Sequence, residues 1–159
     1  MKSVIRLQMH APMATIFSLA ADVERWPERL PHYRYVRQLP GSPGERRFAM
    51  GARRGPIPVR WEAVQRVHPA DGIIEFTHTR GVTRGMEVAW RLRPNAGSDA
   101  VDVSIEHELT LRWPLVGEAV ARWVIGPQFI EAIAGRTLRR IRDLAEAQAT
   151  PELAAEAGT

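Results

Sequence analysis

The sequence of 159 residues has no cysteine, a single lysine and no long apolar run. Without cysteine, a disulfide framework, a thiolate metal site and a cysteine nucleophile are all excluded. No apolar run approaches the ~18 residues that a transmembrane helix needs. Residues 1–8 alternate in polarity, whereas a signal peptide has a continuous apolar core. We therefore expect a cytoplasmic protein without a transmembrane segment.

The charge balance is only weakly basic, because 22 lysine and arginine residues face 18 aspartate and glutamate residues. Nucleic-acid-binding domains usually concentrate basic residues on one face, but here they are spread along the chain. The pairs Arg46–Arg47 and Arg53–Arg54 are typical of a solvated hairpin. We therefore expect no nucleic-acid partner. The 45% hydrophobic and 25% charged content is that of an ordinary globular chain, and the length suits one domain.

The first third of the chain predicts a strand followed by two helices. Residues 4–9 alternate between apolar and polar side chains, which is the pattern of a strand with one buried face. Pro12 suits the first turn of a helix, and apolar residues follow it at helical spacing. Asp22 is a candidate N-cap for a second, short helix, which Pro27 and Pro31 confine.

The middle of the chain predicts six strands joined by turns. Each segment alternates with a period of two, and turns rich in glycine and proline separate the segments. The predicted strands span residues 33–39, 47–53, 59–67, 74–81, 86–92 and 101–111. Short turns favour antiparallel pairing of successive strands, so we expect a meander in which each strand has one solvent-exposed face.

The apolar period changes from two to 3.6 in the last third of the chain, which predicts a long C-terminal helix with an apolar stripe over 116–144. Gly126 and Pro127 interrupt the stripe, and we expect a break or kink there. The last residues are rich in alanine, glutamate and glycine and are expected to fray. We therefore predict a single domain over residues 1–147 and a flexible C-terminal tail over residues 148–159.

These elements predict an α+β fold in the order β-α-α-β6-α. A curved antiparallel seven-strand sheet with one apolar face needs a cover, and only the long C-terminal helix is large enough to supply it. We expect an internal cavity between the sheet and this helix. Such concave spaces are the usual sites for apolar ligands.

Three short motifs in the N-terminal third are similar to those of a known family. They are Ala11-Pro12 with the residues up to Phe17, Asp22-Val23-Glu24-Arg25-Trp26-Pro27, and Leu30-Pro31-His32-Tyr33. The Trp61 strand and Thr137-Leu138 in the terminal helix agree with them. Over residues 2–147 the chain resembles the START-like helix-grip (SRPBCC) superfamily, and within it the polyketide cyclase/dehydrase and lipid-transport group. The resemblance implies a helix-grip fold with a ligand cavity, although members of one fold bind different ligands.

The resemblance also indicates which side chains contact a ligand. Trp26, Leu30 and Tyr33 match a pattern that lines the pocket mouth in aromatase/cyclase relatives. Met86 and Trp90, four residues apart on one predicted strand, match a second pair of pocket residues there. These residues are equally explained as hydrophobic core, because pocket walls in this fold are also its core.

The pattern of the residues adds candidates on the same apolar faces. Trp61 and Phe76 occupy inward positions of their predicted strands. Ile130 and Ala134 belong to the apolar stripe of the C-terminal helix. We expect all four to contact the ligand as well.

Polar residues at inward positions are the more informative candidates, because a buried polar group needs a partner. Strand alternation places Tyr33, Gln65, His78, Arg84 and His107 on faces otherwise occupied by apolar residues. We expect Gln65, His78 and His107 to contact the ligand, although a buried histidine is also common as a structural group. Tyr33, Arg84 and His107 are the candidate catalytic residues if the protein is an enzyme.

No sequence pattern indicates a metal or another cofactor. The five histidines show neither the His-x-His nor the His-x-x-x-His spacing of metal sites. A glycine-rich phosphate loop and a nucleophile elbow are also missing from the sequence. We therefore expect neither a metal nor a cofactor.

These features lead to one leading hypothesis and two alternatives. The leading hypothesis is a monomeric or homodimeric carrier or sensor for a hydrophobic small molecule of polyketide, lipid or isoprenoid type. The first alternative is a polyketide aromatase/cyclase-dehydratase. Resemblance to those enzymes implies a pocket arginine on the tryptophan-bearing strand, but the matching position here is Gln65 or the outward Arg66. The second alternative is a quinone- or ribosome-associated interaction protein that uses the basic hairpin over residues 46–54.

Overall fold

The computed structural model describes residues 1–110 and 127–157, which form one seven-stranded sheet and three α-helices. In chain order the elements are β1 (Lys2–Met9), α1 (Met13–Ala21), α2 (Trp26–Arg29), β2 (Tyr33–Leu39), β3 (Arg46–Arg54), β4 (Ile57–His68), β5 (Ile73–Gly81), β6 (Met86–Pro94), β7 (Val101–Leu109) and α3 (Pro127–Ala157). Short 3-10 turns cover Val23–Arg25 and Pro69–Asp71. This is the predicted α+β helix-grip fold.

The sheet is antiparallel and has the order β1-β7-β6-β5-β4-β3-β2. Strands β2 to β7 form the predicted meander, and β1 returns to pair with β7 along its whole length. Alternate side chains of β7 are buried in the core, namely Val101, Val103, Ile105, His107 and Leu109. The period of two in the sequence therefore corresponds to one buried and one solvent-exposed face of the sheet.

Helix α3 covers the concave face of the sheet with its apolar stripe. Its buried side chains recur at helical spacing and include Ile130, Ala134, Leu138, Ile141 and Ala145. Near the far end, Ala149 is buried, and the Glu146 carboxylate accepts a 3.0 Å hydrogen bond from the backbone N–H of His10. None of the described helices is both long and apolar enough to cross a membrane.

The C-terminal helix extends further than the sequence predicts. Helix α3 continues to Ala157, so most of the segment 148–159 is helical where a flexible tail is expected. Alanine and glutamate are good helix formers, which explains the extension. The domain boundary after residue 147 stays a prediction. The predicted helical stretch over 116–125, the strand end at Leu111 and the break at Gly126 lie outside the described residues.

Asp22 does not cap the second helix through its side chain as predicted. It occupies the N-cap position of the 3-10 turn Val23–Arg25, but its side chain makes no capping hydrogen bond. The carboxylate instead lies 3.6 Å from the guanidinium of Arg29. Pro27 lies in the first turn of α2, where its missing N–H has no intrahelical partner to lose.

A bulge in β5 sets the register between β4 and β5. Trp61 on β4 lies opposite Gly81, and Thr79 is the extra residue between the paired positions. Gly81 has a positive φ of 94°, and a Cβ at this position would collide with the Arg60 carbonyl oxygen. Only glycine therefore fits opposite Trp61, and the bulge leaves His78 on the concave face.

Candidate functional site

A cavity of about 90 Å³ lies between the concave face of the sheet and helix α3. Ten residues predicted from the sequence line it, namely Trp26, Tyr33, Trp61, Phe76, His78, Met86, Trp90, His107, Ile130 and Ala134. The other lining residues are Met50, Val59, Thr83, Val88, Ile105, Phe129, Ile133 and Thr137. Among these described residues none is lysine, arginine, aspartate or glutamate, so the wall is apolar with a few neutral hydrogen-bonding groups.

The aromatic part of the wall centres on Trp26. Its ring packs edge-on against Tyr33, with centroids 5.0 Å apart, and lies 6.2 Å from the ring of Trp90. The indole N–H donates a 3.1 Å hydrogen bond to the Leu19 carbonyl of α1. Because this bond satisfies the one polar atom of the ring, Trp26 contributes a fixed, purely apolar surface to the cavity.

Two contacts orient His78. Its imidazole stacks on Trp61 with ring centroids 5.7 Å apart, and its Nδ1 lies 2.7 Å from the Thr83 hydroxyl in the β5–β6 turn. Burial, with a smaller effect from His107, lowers the pKa of His78 to about 3. The ring is therefore neutral at neutral pH.

His107 brings a buried nitrogen without a partner among the described residues to the cavity wall. The side chain is 8% exposed, and its buried Nδ1 has no hydrogen-bond partner among the described residues. Burial lowers the pKa of His107 to about 4, so this ring is also neutral at neutral pH. A buried nitrogen without a partner costs stability. A carbonyl or hydroxyl group of a molecule in the cavity could supply the missing bond.

Tyr33 and Thr137 bring hydroxyl groups to the wall. Burial raises the pKa of Tyr33 well above its ordinary value, while the Thr137 hydroxyl acts in the opposite direction. Tyr33 is therefore protonated at physiological pH and can donate a hydrogen bond. The Thr137 hydroxyl donates to the Ile133 carbonyl at 2.9 Å and lies 2.8 Å from His32 Nε2.

Three predicted site residues lie outside the cavity lining. Arg84 is exposed in the β5–β6 turn, so the prediction that it points inward is wrong. The alternation of β5 ends at Gly81 and does not extend through the turn. Gln65 is 1% exposed, but its Nε2 donates a 2.9 Å hydrogen bond to the Ala21 carbonyl and holds the end of α1. Leu30 is fully buried away from the cavity.

Two polar lining residues, Thr83 and Thr137, are missing from the sequence prediction. Thr137 follows Ala134 by three positions on α3, so the helical period that identified Ile130 and Ala134 also reaches it. Thr83 lies in a turn, where no period determines the direction of a side chain. Helical spacing could have identified the first residue, but nothing in the pattern identifies the second.

The described residues contain no group of three histidine, aspartate or glutamate side chains arranged to hold a metal ion. His78 and His107 both line the cavity, but structural and catalytic zinc sites use three or four protein ligands. The chemistry that this site can supply is hydrogen bonding and proton transfer by neutral groups in an apolar surrounding.

The sequence profile described as polyketide cyclase / dehydrase and lipid transport matches residues 9–129 of the chain. The chain belongs to this family. The matched segment of this family member runs from the end of β1 to the start of α3 and includes strands β2 to β7. No curated protein sequence matches the chain.

Three solved structures are similar to this family member at low sequence identity. The Zhui aromatase/cyclase from Streptomyces sp. R1128 is 16% identical, with a TM-score of 0.72 over 96% of this chain and 95% of that chain. The di-domain ARO/CYC StfQ from the steffimycin biosynthetic pathway is 18% identical, with a TM-score of 0.76 over 94% of this chain and 51% of that chain. A START superfamily protein from Mycobacterium smegmatis is 17% identical, with a TM-score of 0.63 over 94% and 97%. At these identities the likeness shows the helix-grip fold.

Proposed function

We propose that the protein binds an uncharged hydrophobic small molecule, of polyketide, lipid or isoprenoid type, in the cavity between the sheet and α3. The observation that carries this proposal is the buried Nδ1 of His107, which has no hydrogen-bond partner within residues 1–110 and 127–157, in a wall that is otherwise mainly apolar and aromatic. A buried polar atom costs free energy until it finds a partner. An apolar ligand with one carbonyl or hydroxyl group would form a hydrogen bond with His107 and pack against the apolar residues of the wall.

Some of the lining residues would supply affinity, and others would orient the ligand. Trp26, Trp61 and Trp90 offer large apolar surfaces, and burial of apolar surface contributes ~25 cal/mol per Å². The neutral imidazole of His107 and the protonated hydroxyl of Tyr33 would fix the direction of the ligand. The family supports this proposal, since its description joins polyketide chemistry with lipid transport and both involve apolar molecules.

The volume of the cavity limits the size of a ligand that can enter without a rearrangement of the protein. About 90 Å³ is well below the ~300–1,000 Å³ of sites for drug-sized molecules. A multi-ring or long-chain ligand therefore requires a wider cavity. The strands are tied to their neighbours by ladders of hydrogen bonds, whereas Phe129, Ile130 and Ile133 contribute to the lining from the first turns of α3. We infer that widening comes from a shift of these turns.

Native mass spectrometry of the purified protein tests the proposal. We expect an adduct whose mass matches a hydrophobic molecule that organic solvent extracts. Saturable binding of the neutral fluorophore N-phenyl-1-naphthylamine, followed by its emission, tests the same cavity without knowledge of the natural ligand. Failure of the fluorophore to bind, together with the absence of any adduct, would contradict the proposal.

A cavity-filling variant locates the binding site. Ala134 lines the cavity, whereas Ala147 is exposed on the same helix. Ala134→Phe places a phenyl ring in the cavity and should abolish fluorophore binding, while Ala147→Phe should leave it unchanged. Equal binding in the two variants would place the fluorophore outside this cavity.

Aromatase/cyclase activity is the second candidate function, favoured by Tyr33 and His107 in the same cavity. Tyr33 could donate a proton to a carbonyl oxygen of a poly-β-keto chain while His107 accepts a proton from the neighbouring carbon. Two observations place this candidate second. No arginine is among the described residues that line the cavity, and a histidine with a pKa of about 4 is a weak base at neutral pH.

A further inference from the structure

A second pocket, with a volume of about 420 Å³, lies at the surface between α3, the α2–β2 turn and the end of β3. We call it the arginine pocket, after the residues Arg53, Arg136, Arg139 and Arg140 that line it. The first arginine comes from β3, and the other three share one face of α3 because they are spaced three and four residues apart. Two distant parts of the sequence thus bring four guanidinium groups to one place.

The arginine pocket has an excess of positive charge that the described residues do not neutralise. None of its four arginines forms an ion pair with a described carboxylate. Asp143, the one acidic residue in the lining, is paired with Arg142 at 3.0 Å. Some other arginines of the surface face a carboxylate, as in the pair Arg91–Glu106 at 3.2 Å.

One guanidinium group of the pocket is held by a hydrogen bond, and a glycine leaves room for another. Arg140 Nε donates a 3.1 Å hydrogen bond to the Arg29 carbonyl, which anchors this side chain. A Cβ at Gly135 would lie 3.2 Å from Arg139 Nη1, so glycine leaves room for this guanidinium. Glycine inside a helix and like charges three and four residues apart both destabilise the helix. An anion in the pocket would offset these costs.

The arginine pocket shares a wall with the apolar cavity. His32 lines the pocket, Thr137 lines the cavity, and a 2.8 Å hydrogen bond joins the two side chains. The backbone N–H of Arg53 donates a 2.8 Å hydrogen bond to the His32 carbonyl, so the β3 side of the pocket is tied to the same wall. A group bound in the pocket therefore lies next to the molecule proposed for the cavity.

We propose that the arginine pocket binds a phosphate group. Planar guanidinium groups recognise phosphate oxygens through bidentate, charge-assisted hydrogen bonds. A phosphate dianion also neutralises more of the positive charge than a single carboxylate. The phosphate can be inorganic phosphate, or the end of an amphiphile whose apolar part reaches the cavity past Thr137. The phosphate site itself does not rest on the proposed function, because it requires nothing of the cavity.

Isothermal titration of the full-length protein with inorganic phosphate tests this proposal. Arg136→Gln/Arg139→Gln removes two charges from the pocket. Arg60→Gln/Arg93→Gln is the matched control, because it removes two charges at exposed positions elsewhere. We expect phosphate to bind the wild type and the control equally, with a Kd at least ~10-fold higher in the pocket variant. Equal affinity of the two double variants, or no binding to the wild type at millimolar phosphate, overturns the proposal.

Arg53→Gln tests whether strand β3 contributes to the arginine pocket. Because Arg53 lies on β3, far in sequence from α3, a weaker phosphate affinity in this variant shows that both elements contribute to one site. We expect a Kd at least ~3-fold higher than that of the wild type, with an unchanged thermal midpoint. An unchanged Kd overturns the assignment of phosphate to this pocket.

Octyl phosphate distinguishes the two sources of the phosphate. Binding at least ~10-fold tighter than that of inorganic phosphate, lost in Ala134→Phe, supports the proposal and assigns the group to an amphiphile that also fills the cavity. Equal affinity for both molecules supports the proposal with inorganic phosphate as the ligand. Phosphate binding in a protein that shows neither a hydrophobic adduct nor binding of N-phenyl-1-naphthylamine would refute the proposed cavity function and leave the phosphate site standing.

Discussion

The imidazole of His78 lies flat on the indole of Trp61, with ring centroids 5.7 Å apart and planes 10° from parallel. The two residues come from neighbouring strands, and the bulge at Thr79 determines their relative position. Thr83 fixes the imidazole from the β5–β6 turn through a 2.7 Å contact with Nδ1. One wall of the cavity therefore depends on a turn residue as well as on the sheet.

Thr83→Val removes the hydroxyl that pairs with His78 and keeps the shape of the side chain. Thr83 is 4% exposed and His78 is half-buried, so the variant loses one partly buried hydrogen bond, and we expect the free energy of unfolding to fall by ~1 kcal/mol. Urea unfolding followed by tryptophan fluorescence measures the change. Thr79→Val is the control, since the Thr79 hydroxyl makes only a 3.4 Å contact with the Glu62 carbonyl. Equal losses in both variants would contradict a specific role for Thr83.

Three histidines with lowered pKa values predict a stability that decreases in acid. The pKa of His32 and of His107 is lowered to about 4, and that of His78 to about 3, mainly by desolvation. In an unfolded chain the pKa of histidine is ~6.5. As the pH falls below ~6.5, the unfolded chain binds more protons than the folded protein. The free energy of unfolding is therefore highest above pH ~6.5 and decreases towards pH ~4, by up to ~1.4 kcal/mol per pH unit for each histidine.

Urea unfolding at pH ~7.5, ~5.5 and ~4.5 measures this slope. His107→Phe removes one of the three histidines with a lowered pKa and keeps an aromatic ring in the cavity, so it should flatten the slope. His10→Gln, at an exposed position, should leave the slope unchanged. The same slope in His107→Phe and the wild type would show that His107 gains protons equally in the folded and unfolded states.

Gly81→Ala tests the close approach of β5 to β4. Gly81 and Gly44 both have a positive φ, of 94° and 82°, but only at Gly81 would a Cβ meet neighbouring backbone, at the carbonyl of Arg60. Gly44→Ala therefore measures the backbone strain alone, which is ~1 kcal/mol. We expect Gly81→Ala to lower the free energy of unfolding by at least ~2 kcal/mol more. Thermal unfolding of the two variants gives the comparison, and equal losses would rule out the collision.

Strand periodicity predicted the fold well because one face of each strand is buried. The bounds of β2, Tyr33–Leu39, equal those predicted, and the alternation over residues 101–109 reappears as alternate burial in β7. The same rule predicted the wrong direction for the Arg84 side chain, because residues in a turn do not alternate between the two faces of a sheet. It correctly placed Gln65 on the inward face, yet the Ala21 carbonyl of α1, and not a ligand, receives its hydrogen bond.

Features that depend on distant parts of the chain could not be predicted from local patterns. The arginine pocket combines Arg53 from β3 with Arg136 from α3, and no period relates these two positions. The contact between His78 and Thr83 depends on the conformation of a turn. The volume of the cavity follows from the packing of α3 on the sheet, which composition and periodicity do not determine.

Tyr33→Phe separates a carrier from an enzyme. The variant keeps the aromatic ring, and with it the edge-on contact with Trp26 at 5.0 Å, and loses one hydroxyl group. In a carrier, the Kd for the ligand should change by no more than the value of one hydrogen bond, ~1 kcal/mol. In an enzyme that uses the hydroxyl for proton transfer, turnover should fall by ~100-fold or more with little change in affinity.

We expect the carrier result, because no arginine is among the described residues that line the cavity and His107 is a weak base at neutral pH. The assay incubates a reactive poly-β-keto substrate with the wild type and with Tyr33→Phe, and measures cyclised product and ligand affinity in parallel. Tyr35→Phe is the control, since the Tyr35 ring lies under the Arg37 guanidinium on the edge strand, away from the cavity lining. Wild-type turnover well above the uncatalysed rate, lost in Tyr33→Phe at equal affinity and kept in Tyr35→Phe, would make the protein a cyclase.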